Sequence, residues 1–143
     1  MKRVLFICPD NASRSQMAEA FCRVFASEQI EAYSAGLEPA KALDSRLAAM
    51  MEEVGCEVHG QRPKRVSELA DMKFDVVITL DERSLPAPSA ALASGHWRIP
   101  DPHFLDSKRY RDIRHDIGHR VRKLLEVVEL QPKLIHPIQL GVE

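Results

Sequence analysis

Val4-Leu5-Phe6-Ile7-Cys8-Pro9-Asp10-Asn11-Ala12-Ser13-Arg14-Ser15-Gln16-Met17-Ala18-Glu19-Ala20-Phe21 decides the fold. Four apolar residues, Val4 to Ile7, run without a break into Cys8, the pattern of a strand buried on both faces of a parallel sheet. Arg14 comes six residues after Cys8, and beyond it Met17, Phe21, Val24 and Phe25 recur at the spacing of one helical face. A strand, a tight loop and a helix N-terminus in succession aim free N–H groups and the positive end of the helix dipole at one point. A tetrahedral oxyanion suits that point: the guanidinium of Arg14 forks over two oxygens and the sulfur of Cys8 lies beneath the central atom. Cys8 is therefore the expected nucleophile.

The spacing alone is weak, because Cys56 is also followed six residues later by an arginine, Arg62. Cys56 follows a helix, however, and Pro63 comes directly after Arg62 in a stretch without helical period. Cys56 and Cys22 read as small buried hydrophobes, the usual state of a free cysteine.

Outward from the opening stretch, strands and helices alternate. A short strand spans about Ile30 to Tyr33 and is stopped by Ser34-Ala35-Gly36. Asp44 is placed to cap a helix carrying Leu47, Met50, Met51 and Val54, with Gly55 at its end. A helical turn around Ser67 to Asp71 precedes a strand from Asp75 to Leu80. Pro86 and Pro88 mark a loop, and His96 to Ile99 is the last short strand. A long helix runs from Ser107 to about Leu130, with Tyr110, Ile113, Ile117, Val121, Leu124 and Val128 on one stripe. The expected fold is α/β, a small four-stranded parallel sheet with helices on both faces. Residues 1–130 form the single catalytic domain, and 131–143, with Pro132 and Pro137, a loosely ordered tail. Ligands of such sheets sit beyond the carboxyl ends of the strands, so Cys8, Asp81 and Asp101 should converge.

Composition excludes several classes. A formal net charge of −1 offers no field for nucleic acid or an anionic membrane surface. Three cysteines, an odd number, argue against a disulfide framework and for a reducing compartment, the cytoplasm. The apolar run after Met1-Lys2-Arg3 is too short for a signal peptide or a membrane span. His115 and His119 are four apart but lie opposite the apolar stripe with no third ligand, and no metal site is expected.

Several separate motifs across residues 2–130 resemble the low-molecular-weight protein tyrosine phosphatases and the arsenate reductases that share their fold. Cys8 to Ser15 resembles the catalytic loop, with Asn11 where an asparagine holds its shape and Asn11, Ala12, Ser13 and Ser15 as the oxyanion-binding positions that the resemblance implies. Ser34-Ala35-Gly36 followed by Glu38-Pro39 looks like the second-strand signature, whose serine bonds that asparagine. Gly60-Gln61-Arg62 with Lys64 resembles the basic stretch after the second helix, and Asp101-Pro102 the pair that supplies a general acid. Against the family pattern, Pro9 removes one N–H donor and Ser13 stands where many relatives carry a second cysteine. Asp10 puts a carboxylate where small or neutral residues are usual, so it points outward or weakens binding of a dianion.

The chemistry requires a thiolate. Loop amides, helix dipole, Arg14 and Ser15 favour one, so the expected pKa of Cys8 is below the ordinary thiol value. The first reading is phosphomonoester hydrolysis, without a cofactor, through a phosphocysteine, with Asp101 protonating the leaving oxygen and then activating water. The alternative is an arsenate reductase. No cysteine occurs after Cys56, so the resemblance then implies an external thiol such as glutathione, mycothiol or a redoxin partner. A third reading is a non-catalytic oxyanion sensor. His103 and Phe104 follow the Asp-Pro pair where phosphotyrosine-preferring relatives carry tyrosines, and Phe104 offers an aromatic face.

Overall fold

A computed structural model describes residues 1–86, 91–130 and 138–142. Pro88, Pro132 and Pro137 lie outside the described residues. In chain order the elements are β1 (Lys2–Cys8), α1 (Arg14–Phe25), β2 (Ile30–Gly36) and α2 (Leu47–Glu52). A 3-10 turn (Val66–Leu69), β3 (Val76–Leu80), β4 (Ala93–Trp97), α3 (Ser107–Leu130) and β5 (Ile138–Val142) follow. The strands form one sheet in the order β2-β1-β3-β4-β5, every neighbour parallel.

The four expected strands are all present. Residues 138–142, expected within a loose tail, instead extend the sheet as β5 beside β4. Their apolar residues, Ile138, Leu140 and Val142, alternate with period two, which suits a strand; that period was hidden by the prolines before it. β2 also outruns its expected end, because Ser34, Ala35 and Gly36 pair with Phe6, Ile7 and Cys8. Small residues that read as a turn are held extended by the neighbouring strand. β4 starts at Ala93 and stops at Trp97, so Ile99 lies beyond it.

β1 separates two apolar layers. Val4, Phe6 and Cys8 join a cluster with Met17 and Phe21 of α1, Met50 and Met51 of α2, and the whole expected stripe of α3. Leu5 and Ile7 face the other way, among Ala35, Phe74 and Val77, with Val66 and Leu69 of the 3-10 turn packed against them. Val24 and Val54, assigned by spacing to buried faces, are exposed. Trp97 packs as core, its ring 6.0 Å from that of Phe6. Because all strands run the same way, Cys8, Gly36, Leu80 and Trp97 end along one edge, and strand order reverses at β1.

Candidate active site

The loop from Cys8 to Arg14 is shaped by buried amides. Asn11 takes the left-handed conformation, φ 52°, which asparagine tolerates better than most residues. Its Nδ2 donates to Ser15 Oγ at 2.7 Å, and its Oδ1 accepts from Gln16 Nε2 at 2.9 Å and from the Lys64 amide at 3.0 Å. Gln61 Nε2 donates in turn to Gln16 Oε1 at 2.6 Å. Gln16 and Gln61 are supports that the sequence reading missed, since a glutamine carries no signal of burial until its partners are known. Ala12 and Ser13 are buried in the loop itself.

Gly36 lies beside Cys8 in the sheet and permits this close approach. A Cβ there would fall 2.9 Å from Asn11 Cβ and 3.1 Å from the Asp10 carbonyl carbon, neither of which is a flexible chain end. Gly36→Ala should displace the loop and cost about tenfold or more in turnover while leaving the helical circular dichroism signal intact. Full activity in that variant contradicts the assigned packing.

Ser34 does not bond Asn11. Its hydroxyl donates to Glu19 Oε1 at 2.7 Å, and Glu19 also pairs with Arg23 at 2.5 Å and lies 4.0 Å from Lys64 Nζ. Ser34 therefore supports α1 rather than the loop asparagine. The carboxylate of Glu19 captures its hydroxyl because both are fully enclosed and a buried charge must be paired.

Cys8 ends β1 with no solvent exposure. Its Sγ is 2.9 Å from Ser15 Oγ and 3.7 Å from Asp10 Oδ1, and that same Asp10 oxygen accepts from the Ala12 amide at 3.2 Å. Burial pushes the Cys8 thiol up, against the pull of the Arg14 charge and the Ser15 hydroxyl, while the Asp10 carboxylate adds to the rise. This reverses the lowered pKa expected from the loop. The expectation counted the donors around the sulfur and omitted the cost of desolvating its anion. In the free protein, alkylation of Cys8 by iodoacetamide should climb with pH through and beyond the ordinary thiol value near ~8.5, because only the thiolate reacts. Peptide mapping reads this residue by residue; a rate already at plateau at neutral pH contradicts it.

Arg14 reaches across to the third strand. Its NH1 donates to Asp81 Oδ1 at 2.8 Å and to the Ile99 carbonyl at 2.9 Å, tying the loop to residues just past β3 and β4. Burial pushes the Asp81 carboxyl up, but the hydrogen bond and charge of Arg14 outweigh it and hold the group below its usual range. The buried Nε of Arg14 has no hydrogen-bond partner among the described residues, so one edge of the fork is free. His96 Nδ1 lies 2.6 Å from Thr79 Oγ1 and its Nε2 3.0 Å from the Asp81 carbonyl, bracing the turn that carries Asp81.

Asp101 lies two residues past Ile99, exposed on the rim, with its Oδ1 accepting from the His103 amide at 3.0 Å. Arg46, which the sequence reading did not single out, holds that segment. It donates to the carbonyls of Leu105, Pro102 and His103 at 2.7, 2.8 and 3.1 Å and lies 4.4 Å over the Tyr110 ring. Phe104 is 93% exposed on the same rim. Cys8, Asn11, Ser15, Arg14 and Asp81 thus converge, while Asp101 follows Ile99 by two residues on the segment that Arg46 pins. Among the described residues no cluster of metal ligands is found, and no helix is long and apolar enough to cross a membrane.

The low molecular weight phosphotyrosine protein phosphatase family matches residues 3–134. The chain belongs to that family. An enzyme of Synechocystis called glutaredoxin arsenate reductase is 32% identical over 128 residues, 87% of this chain and 97% of its own. Among solved structures, an arsenate reductase in the phosphate-binding state superposes with a TM-score of 0.82 at 32% identity, covering 90% of this chain and 99% of that one. The arsenate reductase of Archaeoglobus fulgidus does so at 0.76 and 34% identity, over 86% and 98%. Within the family, these relatives favour the reductase alternative over the phosphatase reading that the sequence placed first.

Proposed function

We propose that this enzyme reduces arsenate to arsenite, with Cys8 as nucleophile and an external thiol as the source of electrons. Likeness to arsenate reductases along nearly their whole length carries this choice. The thiolate of Cys8 attacks arsenic(V), and an oxygen leaves as water after taking a proton from Asp101. Arg14, through its free Nε edge, and the amides of Ala12 and Ser13 offset the charge of the bound oxyanion. Ser15 donates to the sulfur, and Asn11 keeps the loop open to that geometry.

A thiol, RSH, then attacks Cys8 Sγ. The S–As bond breaks with its electron pair retained on arsenic, which departs as arsenic(III), and a mixed disulfide Cys8–S–S–R remains. A second thiol attacks that disulfide, releasing RS–SR and restoring the Cys8 thiol, so two thiols supply the two electrons. All three cysteines lie at or before position 56 and are buried, but only Cys8 has the Arg14 charge and the Ser15 hydroxyl beside it to favour its anion. Burial pushes the Cys22 thiol up to about 12, which makes it a poor relay. Glutathione, mycothiol or a redoxin of the reducing cytoplasm is therefore the donor, and residues 1–130 are the catalytic domain.

Phosphomonoester hydrolysis shares the first step and is the second reading. A side-by-side assay separates them: arsenate-dependent oxidation of glutathione, with and without glutaredoxin or thioredoxin, against p-nitrophenyl phosphate hydrolysis. Arsenate-dependent thiol oxidation as the faster reaction supports the proposal. Phosphate release without it reverses the order.

A further inference from the structure

We propose that Asp10 determines the oxyanion selectivity of this loop: its carboxylate holds the place of a substrate oxygen, and a tetrahedral oxyanion binds only by expelling it. The inference rests on the oxyanion reading of Cys8 and Arg14 but not on which reaction follows.

Two donors of the loop converge on one atom of this residue. Asp10 Oδ1 accepts from the Ala12 amide at 3.2 Å and lies 3.7 Å from Cys8 Sγ, the thiol donating. A carboxylate bonded to the amide two residues on is a common local turn, and that alone accounts for the first contact. It does not account for the second, because the sulfur marks the point that the loop encloses. The neighbouring charges agree with this. The guanidinium of Arg14 has its NH1 committed to Asp81 and Ile99, and its Nε edge has no partner among the described residues, so Asp10 occupies the sulfur and amide side of the site and leaves the Arg14 side open for the other oxygens of an anion. Cys8 is shut from solvent and Asp10 Oδ1 is one of the atoms against its sulfur, so a reagent reaches Sγ only when the surrounding side chains move aside.

Asp10 itself is only half-buried, which gives its side chain a way out. Expelling it costs two hydrogen bonds, and a carboxylate left nearby repels the incoming charge. A dianion suffers twice the repulsion of a monoanion. The loop therefore holds tetrahedral dianions, inorganic phosphate and arsenate alike, weakly, and favours their singly charged forms. A neutral residue at this position abolishes the competition.

Asp10→Asn tests this with little risk to the fold, since the amide oxygen still accepts from the Ala12 N–H. Asp10→Ser does the same with a hydroxyl. Titration calorimetry with inorganic phosphate should show both variants binding roughly tenfold or more tightly than the parent protein. Iodoacetamide labelling of Cys8 at a fixed pH should also be faster in both. Phosphate binding that is equal, weaker or undetectable in the variants overturns the inference and leaves Asp10 as a turn residue. If the variants bind phosphate more tightly but no form of the protein reduces arsenate, the inference stands and the proposed reaction falls.

Discussion

Cys8→Ser abolishes arsenate-dependent thiol oxidation, a loss of at least about 10⁴-fold, while the protein stays folded. A hydroxyl at that position is isosteric enough to keep its contact with Ser15, but it cannot form the mixed disulfide through which the electrons pass. The loop's donors remain, so phosphate should still bind. Cys56→Ala provides the contrast: that thiol lies four residues past the end of α2, buried in the apolar layer, and its loss leaves turnover within a small factor of the parent. An arsenate activity that survives Cys8→Ser and disappears in Cys56→Ala removes the assigned nucleophile.

The second large effect comes from the pair formed by Arg14 and Asp81. Both side chains are almost fully enclosed, 3% and 10% exposed, and their atoms meet at 2.8 Å. Removing one partner strands the other's charge away from water. Asp81→Asn should therefore destabilise the fold by about 3 kcal/mol or more, read as a lowered denaturation midpoint with an unchanged slope. Arg14→Lys is a sharper probe of chemistry. An ammonium keeps the charge but not the planar fork that spans Asp81 on one edge and an oxyanion on the other. Its catalytic loss should be about 10² to 10³-fold, the scale seen when one preorganised donor is removed. A lysine variant with parental turnover contradicts a bidentate role for Arg14.

The parts of this molecule that could be read in advance are those where neighbours in sequence are neighbours in space. The strand, loop and helix around Cys8 form one local unit, and the stripe of α3 needs only a 3.6-residue period. Both were legible. Asp81 was placed near Cys8 by strand direction alone, but its bond to Arg14 depends on side-chain reach across β1 and β3. Arg46 was invisible because its partners are three backbone carbonyls more than fifty residues away, and carbonyls have no sequence signature. Ser34 was assigned to the wrong partner because Glu19, one turn beyond Ser15, comes closer than Asn11. The sign of the Cys8 shift failed for a related reason. It hinged on how completely the folded loop shuts the sulfur from water, which composition and spacing do not encode, with the Asp10 carboxylate turned toward the sulfur adding to the rise.

The central claim is that arsenic is attacked by one sulfur at the mouth of α1, which then hands its bond to a thiol from outside the chain. Mass spectrometry of the intact protein and its peptides, after brief exposure to arsenate and glutathione, reads that transfer. A single glutathione attached to Cys8, formed only when arsenate is present and absent from Cys22 and Cys56, is the result expected. Glutathione on Cys8 to the same extent without arsenate, or an adduct confined to another cysteine, contradicts it.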